Sequence, residues 1–354
     1  MDEDNQDEHI EPRRKRRRWP VVLLTVIAVV STGCLVMVLG TSGPGVGHFR
    51  SPAGRQTYTE AYDAAFAALP KPTETHDVET TFGTVRAYAW VNPDPVDEIP
   101  VVLVPGRASG VPMWGENLRD FVEHRTVYAF DAIGDSGLSE QTLPLRGMDD
   151  NARWVEEALA GLGLDRIHLV GHSQGGGLAA AVAVRHPDRL ASLTLLEPIM
   201  TFGMLPAWAI GWSAVAALPF LPDSWRDHAL NRIGGVEDDE VDPDDPMARM
   251  IAAGTTHFDS GSLPTPSRLT DEQIRSLRMP VYVAIASDKS LAGGEDAAKE
   301  GRAAPPRDRQ GVAEDHSLPA DAGGVRARRR AREILGGRKL TANAVLKPRD
   351  RRTR

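Results

Sequence analysis

The sequence predicts an α/β fold built on a mostly parallel sheet with helices on both faces. Three observations carry this. Short, mostly apolar runs recur through the middle of the chain, as in Val101-Val102-Leu103-Val104, Val127-Tyr128-Ala129-Phe130 and Ile167-His168-Leu169-Val170. Most are closed at once by glycine, proline or aspartate. Between them lie stretches whose apolar residues recur at three and four, such as Trp154, Val155, Ala158, Leu159 and Leu162. Apolar runs of strand length separated by helical stretches indicate strands covered on both sides.

The N-terminus reads differently. Six of the first eleven residues are acidic, Arg13-Arg14-Lys15-Arg16-Arg17-Arg18 follows, and the run from Val21 to Gly40 carries no charge. Twenty residues at about 1.5 Å each span roughly the 30 Å of a bilayer core. A single transmembrane helix over 21–40 is expected. The basic cluster before it keeps a charged tail, 1–20, in the cytoplasm and places the rest outside the cell membrane. Ser31-Thr32-Gly33-Cys34 resembles a lipobox, but Ser31 departs from it and the apolar run continues past Cys34, which favours an uncleaved anchor. Thr41 to Gly54, rich in Gly, Pro and Ser, reads as a flexible stalk, with the linker ending near residue 57.

The body starts with an amphipathic segment over 58–69 and a hairpin over Val78 to Val91 that turns near Phe82-Gly83. Strands follow at 100–104, 127–130, 167–170 and 193–196, with helices over 151–162 and 176–185. These make 58–198 the first part of the core. From 199 to 266 the alternation stops. Leu205 to Leu221 is apolar with Trp208, Trp212 and Phe220, and Val236 to Asp245 is acidic, so a helical cap over the strand ends is expected, with most of these aromatics packing between cap and core. Residues 267–300 return to the core with a helix over 271–277 and a strand over 281–285.

Charge and composition narrow the function. The net charge of −8 conceals a tail, 301–354, with 15 basic and 6 acidic residues and no Phe, Tyr or Trp, which has little to bury. The remaining 300 residues hold 43 acidic and 26 basic side chains, so nucleic acid is not an expected partner. The lone Cys34 excludes an intramolecular disulfide framework and a Cys-rich zinc module.

The chemistry is concentrated where strand 167–170 runs into Gly171-His172-Ser173-Gln174-Gly175 and then a helix. G-x-S-x-G between strand and helix forms a tight turn that exposes the serine hydroxyl at the carboxyl end of the sheet, beside helix N-terminal amides. A helix cap would be the plain role of such a serine. A phosphate-binding loop fails, because the dinucleotide fingerprint needs glycine at Ser173 and a Walker loop needs Lys before Ser or Thr. Ser173 is therefore the candidate nucleophile.

These motifs together resemble the α/β-hydrolases over about residues 76–290. Besides the elbow there is Leu103-Val104-Pro105-Gly106, where that fold usually carries His-Gly. There is also Asp131-Ala132-Ile133-Gly134-Asp135-Ser136-Gly137-Leu138-Ser139, similar to D-x-x-G-x-G-x-S, and the step His186-Pro187-Asp188-Arg189-Leu190. The resemblance implies an oxyanion hole made from the amides of Gln174 and of Arg107 or Ala108, which survives Pro105 because it uses backbone N–H groups. It implies an acid and then a histidine in chain order. Glu197, ending the strand after the nucleophile strand, and Asp288, after the next, both qualify as the acid. His316 is the one histidine beyond Asp288, and His316-Ser317-Leu318-Pro319 resembles the catalytic-histidine loop of some members.

The resemblance also bears on the tail, since the fold needs a further strand and helix there. Codons exist for residues 312–322, necessarily with GTG at Val312, TCA at Ser317 and GAT at Asp321, that read one base later spell W-P-(K/R)-T-T-H-S-L-P-M-Q, similar to the last strand and histidine loop of relatives. Other codons at those three positions would rule out a shifted frame. The expected activity is serine hydrolysis of an ester, thioester or lactone on a small acyl substrate, with no metal or cofactor. The alternative is a catalytically impaired, membrane-anchored binding protein.

Overall fold

The computed structural model describes residues 45–354 except 219–220, 235–237, 239–241, 243, 261–262, 287–289, 294–339 and 347–354. The anchor expected over 21–40 and the charged tail before it lie outside the described residues. Among the described residues no helix is long and apolar enough to cross a membrane.

The hairpin forms as expected from strands β2 (Glu74–Thr80) and β3 (Gly83–Trp90), joined at Thr81-Phe82. The chain then alternates through β4 (Val101–Val104), helix α2 (Gly115–Val122), β5 (Val127–Phe130), α3 (Met148–Gly161), β7 (Ile167–His172), α4 (Gln174–Arg185) and β8 (Leu190–Leu196). After the cap come α8 (Asp271–Ser276) and β10 (Val281–Ala286). Strands β5, β4, β7, β8 and β10 lie side by side in that order, each parallel to the next. The whole sheet is mixed rather than purely parallel. A two-residue connection can join only antiparallel strands, so β2 and β3 run against each other, and β3 pairs antiparallel with β5. The short β6 (Glu140–Gln141) adds to β3, also antiparallel.

The apolar runs are continuous because each strand serves two cores. Val102 and Val104 of β4 join a cluster with Trp154, Val155, Ala158 and Leu159 of α3 and Leu178 and Val182 of α4. Val101 and Leu103 point the other way, to Trp90, Trp114 and Leu118. Alanines 179, 180, 181 and 183 let α4 lie close on the sheet, where all are buried.

Three boundaries differ from expectation. The stretch read as a flexible stalk contains β1 (His48–Phe49), which pairs with β9 (Phe258–Asp259), and helix α1 starts at Pro52 (Pro52–Phe66) rather than at Tyr58. Ser51 caps α1 by accepting the Gly54 N–H, and proline at the first helical position needs no partner for its nitrogen. The cap comprises α5 (Ala207–Ala217), α6 (Asp223–Gly234) and α7 (Pro246–His257). Its aromatics do not all pack it on the core: Trp208 is 37% and Trp225 62% exposed, while Trp212 meets His228 of α6 edge-on at 5.2 Å. The cap is held chiefly through α7, whose Met250 and Ala253 pack on Tyr58, Ala61, Tyr62 and Ala65 of α1. Finally, the basic tail supplies β11 (Leu340–Leu346), antiparallel to β10 at the sheet edge. An edge strand is held by backbone bonds on one side, which a segment poor in aromatics can still make.

Candidate active site

The parallel order places a site before any side chain is considered. From β4 the chain moves to β5 on one flank and then crosses to β7 on the other. The crevice at the carboxyl ends of β4 and β7 is thus a topological switch point, where open α/β sheets bind ligands. Those two ends carry Pro105-Gly106-Arg107-Ala108 and Ser173.

Ser173 sits at φ 53°, ψ −116°, a conformation rare for a residue with a β-carbon, which costs on the order of 1–3 kcal/mol. Its surroundings enforce it. A β-carbon on Gly171 would lie 2.3 Å from the Gly175 carbonyl oxygen, and one on Gly175 would lie 2.3 Å from that of Pro105. Two glycines flanking the serine are needed to bring strand, helix and the β4 loop this close. Ser173 N–H donates to the Leu196 carbonyl, and the Ser173 carbonyl accepts from Gly177 and Ile199. Although Ser173 occupies the N-cap position of α4, its hydroxyl makes no capping bond. The half-buried side chain is not engaged in the plain role open to it.

The segments that carry the expected oxyanion amides adjoin here. Gln174 is the first residue of α4, where free N–H groups and the helix dipole favour negative charge, and its side chain donates to the Pro264 carbonyl at 3.0 Å. Across the crevice, a β-carbon on Gly106 would be 3.4 Å from that of Ser173, so the β4 loop faces the serine. The Ala108 N–H donates to Asp135 Oδ2 at 2.8 Å and is taken, which leaves Arg107 as the candidate. The Arg107 guanidinium donates to Ser260 Oγ.

Glu197 is the residue after β8, at φ 49°, and its N–H donates to the Ala284 carbonyl. Its side chain is buried at the carboxyl end of the sheet and accepts from Ser290 Oγ at 2.8 Å. It is brought next to the serine through Leu196, whose carbonyl holds Ser173 N–H. Asp288 and His316 lie outside the described residues. Among the described residues no group of His, Cys, Asp and Glu is arranged to hold a metal ion.

Two buried carboxylates behind the β4 loop had no role in the sequence reading. Asp131 accepts from Val111 N–H and Leu138 N–H, and Asp135 from Ala108 N–H and Ser136 N–H. Burial raises both, Asp131 to about 6, while Arg107 pulls Asp135 back toward the charged form. The D-x-x-G-x-G-x-S-like stretch contains both residues and their near partners Leu138 and Ser136, but the partners in the β4 loop, Val111 and Ala108, lie 20 and 27 positions earlier.

With a mixed sheet flanked by helices and a strained serine elbow at its switch point, the chain has the α/β-hydrolase fold. Residues 99–218 match the family described as alpha/beta hydrolase fold. Relatives include an uncharacterized carboxylesterase, nap, of Bacillus subtilis (strain 168), 26% identical over 241 residues that cover 64% of this chain and 75% of that protein. Carboxylesterase YbfK of the same strain is 25% identical over 248 residues, 66% of this chain and 78% of its own. The crystal structure of naproxen esterase (carboxylesterase NP) from Bacillus subtilis shares the fold, with a TM-score of 0.63 at 22% identity over 73% of this chain and 89% of that one.

Proposed function

We propose that the protein is a serine hydrolase that cleaves an ester, thioester or lactone of a small acyl substrate through an acyl-enzyme on Ser173. The observation that carries this is the Ser173 hydroxyl, left out of capping on a strained turn at the switch point and faced by the β4 loop. The carboxylesterase relatives support an enzyme acting on ester bonds.

In the reaction Ser173 Oγ attacks the acyl carbon while His316 takes its proton. The oxyanion accepts from the amides of Gln174 and Arg107. Collapse expels the alcohol, which receives the proton from His316, and water activated by the same imidazole then releases the acid. The orienting carboxylate is Glu197 rather than Asp288 in this reading. Its support is a buried carboxylate at a strand end, one residue from the carbonyl that holds Ser173 N–H. No step calls for a metal or cofactor.

A fluorophosphonate probe should label the wild-type protein at Ser173, and Ser173→Ala should lose labelling and lower kcat on p-nitrophenyl butyrate by about 10⁴-fold or more. A folded wild-type protein that stays unlabelled would instead favour the binding-protein alternative. The charge pattern of residues 1–40 supports a membrane location with the catalytic domain outside. Protease added to intact cells should then digest the domain and spare residues 1–20, whereas a protected domain reverses the orientation.

A further inference from the structure

An oxyanion hole needs backbone N–H groups held in a fixed direction. In the β4 loop, Pro105 to Gly110, which has no regular structure of its own, several amides are fixed by bonds elsewhere. Gly106 N–H donates to Met113 Sδ, Ser109 N–H and Oγ both donate to the Gly106 carbonyl, and Val111 N–H donates to Asp131. The remaining bend is at Ala108, at φ 56°, where a β-carbon is unfavourable. What opposes that strain is Asp135. Its carboxylate is 6% exposed and reaches back 27 positions to accept the Ala108 N–H at 2.8 Å, while its other oxygen accepts the N–H of Ser136.

We propose that Asp135 is a positioning residue for ester cleavage: by taking the Ala108 amide it fixes the left-handed bend that leaves the preceding amide, that of Arg107, to the oxyanion. The proposal rests on the serine-hydrolase reading above. It assigns the carboxylate no contact with substrate. The charged carboxylate suits the task because it offers acceptors in two directions, one for each amide. An asparagine of the same shape would turn an NH₂ donor toward one of two N–H donors, leaving a buried clash of donors in place of a bond.

The test compares wild type, Asp135→Asn, and Asp135→Asn combined with Ala108→Gly, since glycine adopts the bend without strain. On p-nitrophenyl butyrate, Asp135→Asn should lower kcat by about 10- to 100-fold with KM within about twofold, and should slow fluorophosphonate labelling in parallel. Hydrogen exchange should quicken across 106–111 and stay unchanged in β7 and α4. The added glycine should recover most of kcat. A kcat within about threefold of wild type, a loss confined to KM, or faster exchange spreading through β7 and α4 would each overturn the proposal. One measurement needs no variant: in the wild-type protein the Ala108 amide should exchange slowly, and fast exchange there also overturns it. A wild-type protein that neither hydrolyses esters nor labels would sink the serine reading and this proposal with it. An active, labelled protein indifferent to Asp135 sinks this proposal alone.

Discussion

The two halves of the candidate site are built in opposite ways. The nucleophile half is local: β7, Ser173 and the first turn of α4 are consecutive, and their geometry follows from Gly171 and Gly175 within a five-residue motif. The acid half is assembled from distance. Glu197 meets Ser290 across 93 positions, and the strand pairing of β8 with β10 is what brings them together. Chemistry that needs an unusual backbone is written into neighbouring residues, whereas chemistry that needs an orienting partner depends on which strands lie side by side.

Breaking the acid half should have the larger effect on activity. Glu197→Gln keeps the shape and removes the charge that would orient and stabilise the imidazolium, so kcat should fall by about 10³- to 10⁴-fold while Asp288→Asn stays within about tenfold of wild type. The reverse order in steady-state assays would transfer the role to Asp288.

Breaking the nucleophile half should show as lost stability before lost chemistry. In Gly175→Ala the new methyl would stand 2.3 Å from the Pro105 carbonyl and 2.5 Å from that of Val104, backbone atoms that cannot swing away. A cost of about 3 kcal/mol is expected, lowering Tm by roughly 6–12 °C. An unchanged melting curve would mean that strand, helix and loop are less tightly joined than they stand here.

The smallest effect concerns what holds the β4 loop. Asp131 is fully buried and its carboxyl is raised from 3.8 to about 6, chiefly by burial. The folded protein therefore binds this proton more tightly than the unfolded chain does. The group's contribution to stability is least favourable above about pH 6 and improves as pH falls, by about 2 kcal/mol between pH 7 and pH 4.5. Paired carboxylates elsewhere act in the opposite direction. The difference between wild type and Asp131→Asn in urea unfolding, followed from pH 7 to pH 4.5, isolates it. A difference that does not move with pH would show that Asp131 keeps an ordinary acidity.

The central alternation, the hairpin and the elbow were all legible from residue order alone. Each rests on a short-range rule: apolar runs of strand length, a two-residue turn, or glycines flanking a strained serine. Residue order also presented Asp131 and Asp135 in a recognisable pattern without revealing their partners in the β4 loop. That the Ala108 amide is taken follows from tertiary packing, because Asp135 reaches the loop through contact between segments 27 positions apart. The same holds for the first turn of α1, where residues 52–57 read by composition as linker. Tyr58 and Tyr62 of that helix become core only once α7 is folded against them. Local sequence fixes backbone conformation because φ and ψ respond to adjacent atoms. Which buried carboxylate faces which amide depends on how distant segments pack, and no short stretch of sequence contains that information.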